Sequence, residues 1–274
     1  MSDNDLDVVG YWTEIKLKIL SEYASAYSTI LQAQSAIKHF SYIDGFAGAG
    51  THISEATHQE IDGSPTIALK HNFSHYHFID LNGARIAKLK ELAAGRHDIS
   101  VYKGDCNDIL LKEVFPKCLW TDFRRALCLL DPYGLNPKWS VIKEAGKMRS
   151  IEIFLNFMIM DANMNILWNN PQRVPIEQAQ RMTDFWGDES WREAAYVNQA
   201  GLFGDIPEKT TNESVINAYR ERLQKVAGFQ YVPEPIPMKN SKGATVYYLF
   251  FASNNQTGDK IARAIFDNYR ERKI

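Results

Sequence analysis

The sequence predicts an α/β fold: a doubly wound, mostly parallel sheet with a C-terminal antiparallel hairpin and a helical insertion. Three observations predict it. Apolar runs over residues 40–44, 76–80, 99–104, 126–131 and 151–160 alternate with helical stretches, and such alternation gives a parallel sheet with right-handed crossovers. Acids stand at four of the strand ends: Asp44, Asp80, Asp105 and Asp131. The first strand runs straight into a glycine-rich turn, Asp44-Gly45-Phe46-Ala47-Gly48-Ala49-Gly50, where bare backbone lets a ligand approach.

The elements follow in order. Residues 1–10 are polar and acidic at their start and predict a frayed terminus rather than a signal peptide. Trp12, Ile15, Ile19, Tyr23, Ala26 and Ile30 recur at steps of three and four, which predicts a helix over 11–38. Residues 51–63 read as a long polar loop. Ser64-Pro65 then offers an N-cap and a first-turn proline for a helix to about residue 71. Further helices are predicted over 82–93, 139–147, 214–227 and 258–273. The run at 126–131 is apolar throughout, as befits a strand covered on both faces. Residues 161–215 break the alternation. They carry nine acids and four bases together with Trp168, Trp186 and Trp191, and read as a mostly helical insertion, a lid or a partner surface. Residues 229–232 and 245–252 predict a hairpin at the sheet edge.

At 274 residues, 45% hydrophobic and 23% charged, the chain suits a single domain over 1–274 with an ordinary core. A net charge of −2 gives no global basic field. Cys106, Cys118 and Cys128 form no C-x-x-C pair, and three thiols cannot all pair with one another, so a reduced, cytoplasmic setting is expected. No apolar run reaches the roughly 18 residues of a membrane span, so no membrane association is expected.

The turn is neither the G-x-G-x-x-G of dinucleotide enzymes nor a P-loop. It resembles motif I of the class I S-adenosylmethionine (SAM) methyltransferases, whose sheet is Rossmann-like. SAM presents a cationic amino-acid tail with a sulfonium, a ribose diol and an adenine. On that reading Asp44, Gly45, Phe46, Gly48 and Gly50 admit the tail. Asp80 takes both ribose hydroxyls, since a carboxylate accepts two hydrogen bonds in a fork. From the Asp105-Cys106-Asn107 turn, Asp105 or Asn107 faces the adenine amino group. Asp131-Pro132-Tyr133 is the candidate reaction centre. It resembles the [DNS]-P-P-[YFW] motif of amino-methyltransferases that act on bases, in which the acid orients an exocyclic amine and the ring stacks on a flipped base. Here the motif is D-P-Y-G, one proline short, with the ring one position early.

Other candidates read more plainly. Histidines 52, 58, 71, 75 and 77 lack metal-ligand spacing, so no metal site is expected; His52 and His58 read as loop residues, and His75 and His77 as strand-edge residues. Asn156 reads as core with a substrate-pocket alternative. Lys16 reads as a snorkelling surface lysine, with a substrate phosphate as the alternative. Arg124-Arg125 and the basic C-terminal helix read as solvated faces, with nucleic acid phosphates as the alternative.

Seven segments together resemble a bacterial family, the three-Cys-motif partner proteins (TcmP). They are W-T-x-x-K-L-x-I-L-x-x-Y at 12–23, Y-I-D-G-F-A-G-A-G at 42–50, G-S-P at 63–65, G-D-C-N at 104–107, L-D-P-Y-G-L at 130–135, F-W-G at 185–187 and Y-Y-L-F-F-A-S at 247–253. The name refers to cysteines of a neighbouring protein, not to the three here. The resemblance implies a class I methyltransferase-like fold and a radical-SAM-like protein partner; it brings no settled substrate. Two functions follow. The first is a SAM-dependent methyltransferase acting on an exocyclic amine of a nucleobase in DNA or RNA. The second is a catalytically silent protein of the same fold that binds a partner through the acidic insertion and its tryptophans.

Overall fold

The computed structural model describes residues 6–201 and 204–271. Strands β1 (Val8–Val9), β2 (His39–Asp44), β3 (Thr51–Ser54), β4 (Glu60–Asp62), β5 (His75–Asp80), β6 (Ile99–Lys103), β7 (Arg124–Leu130), β8 (Ile151–Phe157), β9 (Tyr196–Gly201), β10 (Gly204–Lys209), β11 (Ile236–Lys239) and β12 (Thr245–Ala252) form three sheets. The main sheet has seven strands in the order β11-β12-β8-β7-β2-β5-β6. Its five central and distal strands, β8 to β6, run parallel, and β12 is antiparallel to both β8 and β11. This is the doubly wound, Rossmann-like, mostly parallel sheet with an antiparallel edge that the sequence predicts.

Helices cover both faces. On one face α1 (Tyr11–Gln32), α2 (Ser64–Ala68), α3 (Gly83–Leu92) and, last in the chain, α10 (Gln256–Glu271) pack around Tyr42, Phe78, Leu127 and Phe154. On the other, α4 (Cys106–Ile109), α5 (Trp139–Met148), α6 (Ile159–Asn165), α7 (Ile176–Trp186), α8 (Trp191–Ala195) and α9 (Asn212–Lys225) pack around Ile43, Cys128, Ile153 and Phe250. Successive residues of one strand therefore serve opposite cores, which is the physical content of an apolar run in a parallel sheet. None of the described helices is long and apolar enough to cross a membrane. The three cysteines are free and buried.

Several elements differ from the expectation. Residues 1–5 lie outside the described residues, but the rest of the N-terminus is not frayed: Val8–Val9 pairs in parallel with β3. The first helix ends at Gln32, because Ala33-Gln34-Ser35 leads the chain into β2. The supposed loop over 51–63 is the β3–β4 hairpin. The insertion is helical through α8 but then forms a second hairpin, β9–β10. The edge strand is β11, not residues 229–232, which contribute only a Tyr231–Ser253 bridge. Pro237 lies within β11, where an edge strand tolerates a proline.

Two insertion tryptophans also change meaning. Trp186 and Trp191 are 2% and 0% exposed and lie in one core cluster with Phe185 and Tyr219, the Trp186 ring meeting that of Tyr219. Gly187, at φ +102°, caps α7 where an added Cβ would come within 2.3 Å of the Trp139 ring. The F-W-G segment is a core joint, so these two rings offer no anchors to a partner.

Candidate active site

The strand order reverses at β2, whose neighbours β5 and β7 leave in opposite directions. Ligands of such sheets bind in the crevice beyond the strands' carboxyl ends at that point. The glycine-rich turn is moored on both sides of it. Gly45 N–H donates to Leu129 O at 3.0 Å, and Ala47 N–H to Ile79 O at 2.9 Å. Gly48 and Gly50 take φ +64° and +84°, values an L side chain resists. A Cβ on Gly48 would meet only His52 Cε1 at 4.0 Å, so the turn is open on that side.

Asp80 binds this turn directly. Its Oδ2 accepts Gly48 N–H at 2.9 Å and its Oδ1 accepts Asn82 N–H at 2.7 Å. Each oxygen keeps a further lone pair, so the carboxylate still has the capacity for two hydroxyl donors. A cavity of about 250 Å³ opens against Phe46 and Gly48, with Asp131, Pro132 and Tyr133 on its far wall. Sequence reasoning placed these five side chains and turns at one site, and the fold brings them together. Below the turn, Asp44 is fully buried. It accepts Phe46 N–H at 3.2 Å and the Tyr42 hydroxyl at 3.4 Å. Burial pushes its carboxyl up to about 7, against hydrogen bonds from Ser64 and Phe46 that lower it. It braces the turn from beneath.

The third acid does something else. Asp105 caps α4, accepting the Asn107 and Asp108 N–H groups at 2.9 and 3.2 Å. Asn107 clamps the chain after the D-P-Y-G turn, donating to Asn136 O at 3.2 Å and accepting Lys138 N–H at 2.7 Å. The Cys106 thiol lies in the core, and burial pushes it up to about 12. Cys106 is thus buried and Asn107 is spent on the neighbouring chain, whereas Asp105 is exposed and uses only Oδ1 for the cap. Like Asp80, none of the three lines the cavity itself.

Asp131 is pinned on both oxygens. Lys16 Nζ from α1 pairs with Oδ2, and Asn156 Nδ2 from β8 donates to Oδ1. Lys16 is 4% exposed and is therefore no snorkelling surface lysine. Its signal was present in the sequence: it falls four residues after Trp12 and three before Ile19, inside the apolar stripe. His52 also departs from its reading. It sits on β3 at the cavity wall, where burial and the Lys16 ammonium hold the imidazole below its usual range. His52 Nδ1 is buried with no partner among the described residues.

Residues 7–10 strap across the mouth, and sequence reasoning missed them. Asp7 accepts Arg85 Nη2 at 2.8 Å and the Tyr133 hydroxyl at 2.7 Å. The Arg85 guanidinium also lies 5.5 Å from the Tyr133 ring centroid and 3.9 Å from Asp80. Asp7→Asn is expected to loosen the strap by about 1 kcal/mol, since partly exposed ion pairs contribute little. The Ile53 and Glu55 amides, which donate to Asp7 O and Val9 O, report this as faster hydrogen exchange. Unchanged protection would mean that the backbone pairing alone holds the segment.

No protein family and no curated protein sequence matches the chain. Solved structures share its general layout. A Legionella pneumophila protein is 11% identical with a TM-score of 0.48, covering 92% of this chain and 91% of that one. A Thermobifida fusca chain described as a candidate methyltransferase is 12% identical with a TM-score of 0.42, covering 88% and 80%. The N-terminal domain of EvdMO1 with SAH bound is 11% identical with a TM-score of 0.38, covering 85% and 79%.

Proposed function

We propose that the protein is a SAM-dependent methyltransferase of the three-Cys-motif partner type, acting on an exocyclic amine of a nucleobase in DNA or RNA. The observation that carries this reading is the Asp80 carboxylate bonded to Gly48 N–H, at the switch point, beside a cavity walled by Asp131, Pro132 and Tyr133. The residues fit the cofactor: the open Gly48 turn takes the amino-acid tail and the spare Asp80 lone pairs take the ribose diol. The adenine meets the chain near the α4 start, where the exposed Asp105 keeps Oδ2 as an acceptor for its amino group while Oδ1 caps the helix. When bound, SAM supplies an electrophilic methyl group. Asp131 orients the acceptor: with Lys16 and Asn156 fixing both oxygens, its remaining lone pairs point in set directions. His52, on the cavity wall with Nδ1 unpartnered among the described residues, is the nearby side chain with a free nitrogen for the proton that the amine releases. Once Asp7 releases it, the exposed Tyr133 ring is free to stack on a base.

Calorimetric titration with SAM and SAH tests the cofactor. Asp80→Ala is expected to weaken both by about tenfold to a hundredfold, the worth of hydrogen bonds to a charged group. Equal affinity in the variant would remove Asp80 from the site.

One observation favours the silent-partner reading. The cavity of about 250 Å³ is strapped by residues 7–10 and falls below the roughly 300 Å³ at which ligand pockets begin. Tight SAH binding without transfer to any polynucleotide, base or protein acceptor, with a radical-SAM-like protein co-purifying, would support that reading.

A further inference from the structure

The opposite end of the sheet carries a polar surface that the proposed function leaves unused. Parallel strands sandwiched between helices are normally apolar on both faces. Here the pattern fails on one face of four adjoining strands. Register places His39 beside Arg124 and Ser41 beside His75. His77 lies beside Ser100. Two residues on, the same face turns apolar, with Ile43, Ile79 and Cys128 in the core beneath α5 and its neighbours. The residues between these positions, Phe40, Tyr42, Tyr76 and Phe78, serve the other core. The polar character is therefore confined to the amino-terminal half of one face.

That half-face lines a cleft of about 320 Å³, closed at one side by Lys117. Its floor is built and not merely surface: His77 is 2% exposed and Ser41 7%. The floor side chains are oriented by one another. His75 Nε2 meets Ser100 Oγ at 2.8 Å, and His77 Nδ1 meets Tyr102 Oη at 3.1 Å. Lys117 Nζ donates to Tyr102 Oη at 3.1 Å, and Arg124 Nη1 donates to Lys117 O at 3.1 Å, which leaves the rest of the guanidinium fork to the cleft. Among the described residues, the Ser41 hydroxyl and His77 Nε2 have no hydrogen-bond partner. Asp98, the acid whose charge reaches His75, is tied to Arg96 at 3.0 and 2.5 Å.

The cleft thus presents two cations, imidazole nitrogens and a hydroxyl from several elements, with no free carboxylate among the residues that line it. A planar carboxylate would satisfy only the Arg124 fork. A tetrahedral oxyanion offers acceptors in the several directions from which these donors come. We infer that this cleft is a binding site for a phosphate group, carried either by a small phosphorylated molecule or by a polynucleotide backbone. The site lies at the far end of the strands from the SAM cavity and does not depend on the proposed transfer reaction.

The test is a titration of the full chain with inorganic phosphate at constant ionic strength and pH, following the imidazole nitrogen signals of His75 and His77 by NMR. Saturable shifts are expected. Arg124→Gln and Lys117→Gln should each weaken them about tenfold, the loss of one charge-assisted contact, and Arg124→Lys should restore part of the affinity. A short single-stranded oligonucleotide forms the second arm. If it competes with phosphate and is weakened by the same two substitutions, the source is a polynucleotide. If phosphate binds and the oligonucleotide does not compete, the source is a small molecule. The far-ultraviolet circular dichroism spectrum and the urea-unfolding midpoint serve as the folding control and should be unchanged in the variants that retain their fold. Shifts that fail to saturate, or that persist at full strength in both Gln variants, would overturn the assignment.

Discussion

Lys16→Met is expected to destabilise the chain by about 2–3 kcal/mol, somewhat below the full cost of breaking a buried ion pair because Asp131 retains some exposure. The Lys16 side chain is 5% exposed and its Asp131 partner 24%. The methionine keeps the stem's packing on α1 but leaves the Asp131 carboxylate at the cavity wall with only Asn156. Asp131→Asn should cost a similar amount, now by stranding the ammonium. The double variant removes both charges and is expected within about 1 kcal/mol of the parent, so that the cycle reports a coupling of roughly 3 kcal/mol or more. Urea unfolding of the four proteins measures this. If the double variant is as unstable as the sum of the singles, the two groups do not act as a pair.

Transfer should not recover with the fold. In the proposed mechanism Asp131 sets the direction of the acceptor amine, and misplacing a reactant by about 1 Å can cost on the order of a hundredfold in rate. All three variants are therefore expected to lose about that factor in kcat, while SAM affinity, which rests on Asp80 and the glycine turn, changes little. A double variant with parental stability and parental transfer would mean that the D-P-Y-G segment ends a strand and does nothing more.

How much of this was legible beforehand depended on whether a residue's role is set locally. The strand ends at Asp44, Asp80 and Asp131 and the turn at 45–50 were legible because hydrophobic runs and glycines encode them within a few residues. The adenine-side reading of Asp105 and Asn107 was weaker for the same reason: a capping Asp and a ligand-binding Asp look alike in sequence, and here Asp105 Oδ1 caps α4. What escaped were partners distant along the chain. Asp7 reaches Tyr133 across 126 positions and Lys16 reaches Asp131 across 115, separations that no spacing rule covers. Two of the missed groups did leave a local trace, a charge standing in an apolar pattern. Lys16 interrupts the stripe of α1, and Glu152 interrupts the all-buried run of β8.

Glu152 leads to a pH dependence of the fold that a single substitution isolates. It is 6% exposed, with the Tyr23 hydroxyl donating to Oε2 and Ser253 Oγ donating to Oε1 at 3.0 Å. An added Cβ on Gly258, in the first turn of α10, would come within 2.8 Å of Oε1, so the carboxyl abuts that helix. Burial raises the group from its ordinary 4.5 to about 7, and the bonds from Tyr23 and Ser253 only partly oppose this. The folded state therefore holds the proton more tightly than the unfolded chain does. Its contribution to stability is fully present below about pH 4.5 and is lost as the pH rises through about 7. At about 1.36 kcal/mol per pK unit, the swing is of the order of 3 kcal/mol. Asp44 adds a slope of the same sign, since burial raises it from 3.8 to about 7. Glu152→Gln keeps the shape, still bonds Tyr23 and Ser253, and does not titrate. Urea unfolding at pH 5 and pH 8 should therefore find the variant close to the parent at pH 5 and about 2–3 kcal/mol more stable than it at pH 8, with the remaining slope due to Asp44. Parallel pH profiles for the two proteins would mean that Glu152 is ionised in the fold at both values, its charge held by Tyr23, Ser253 and the neighbouring Arg125.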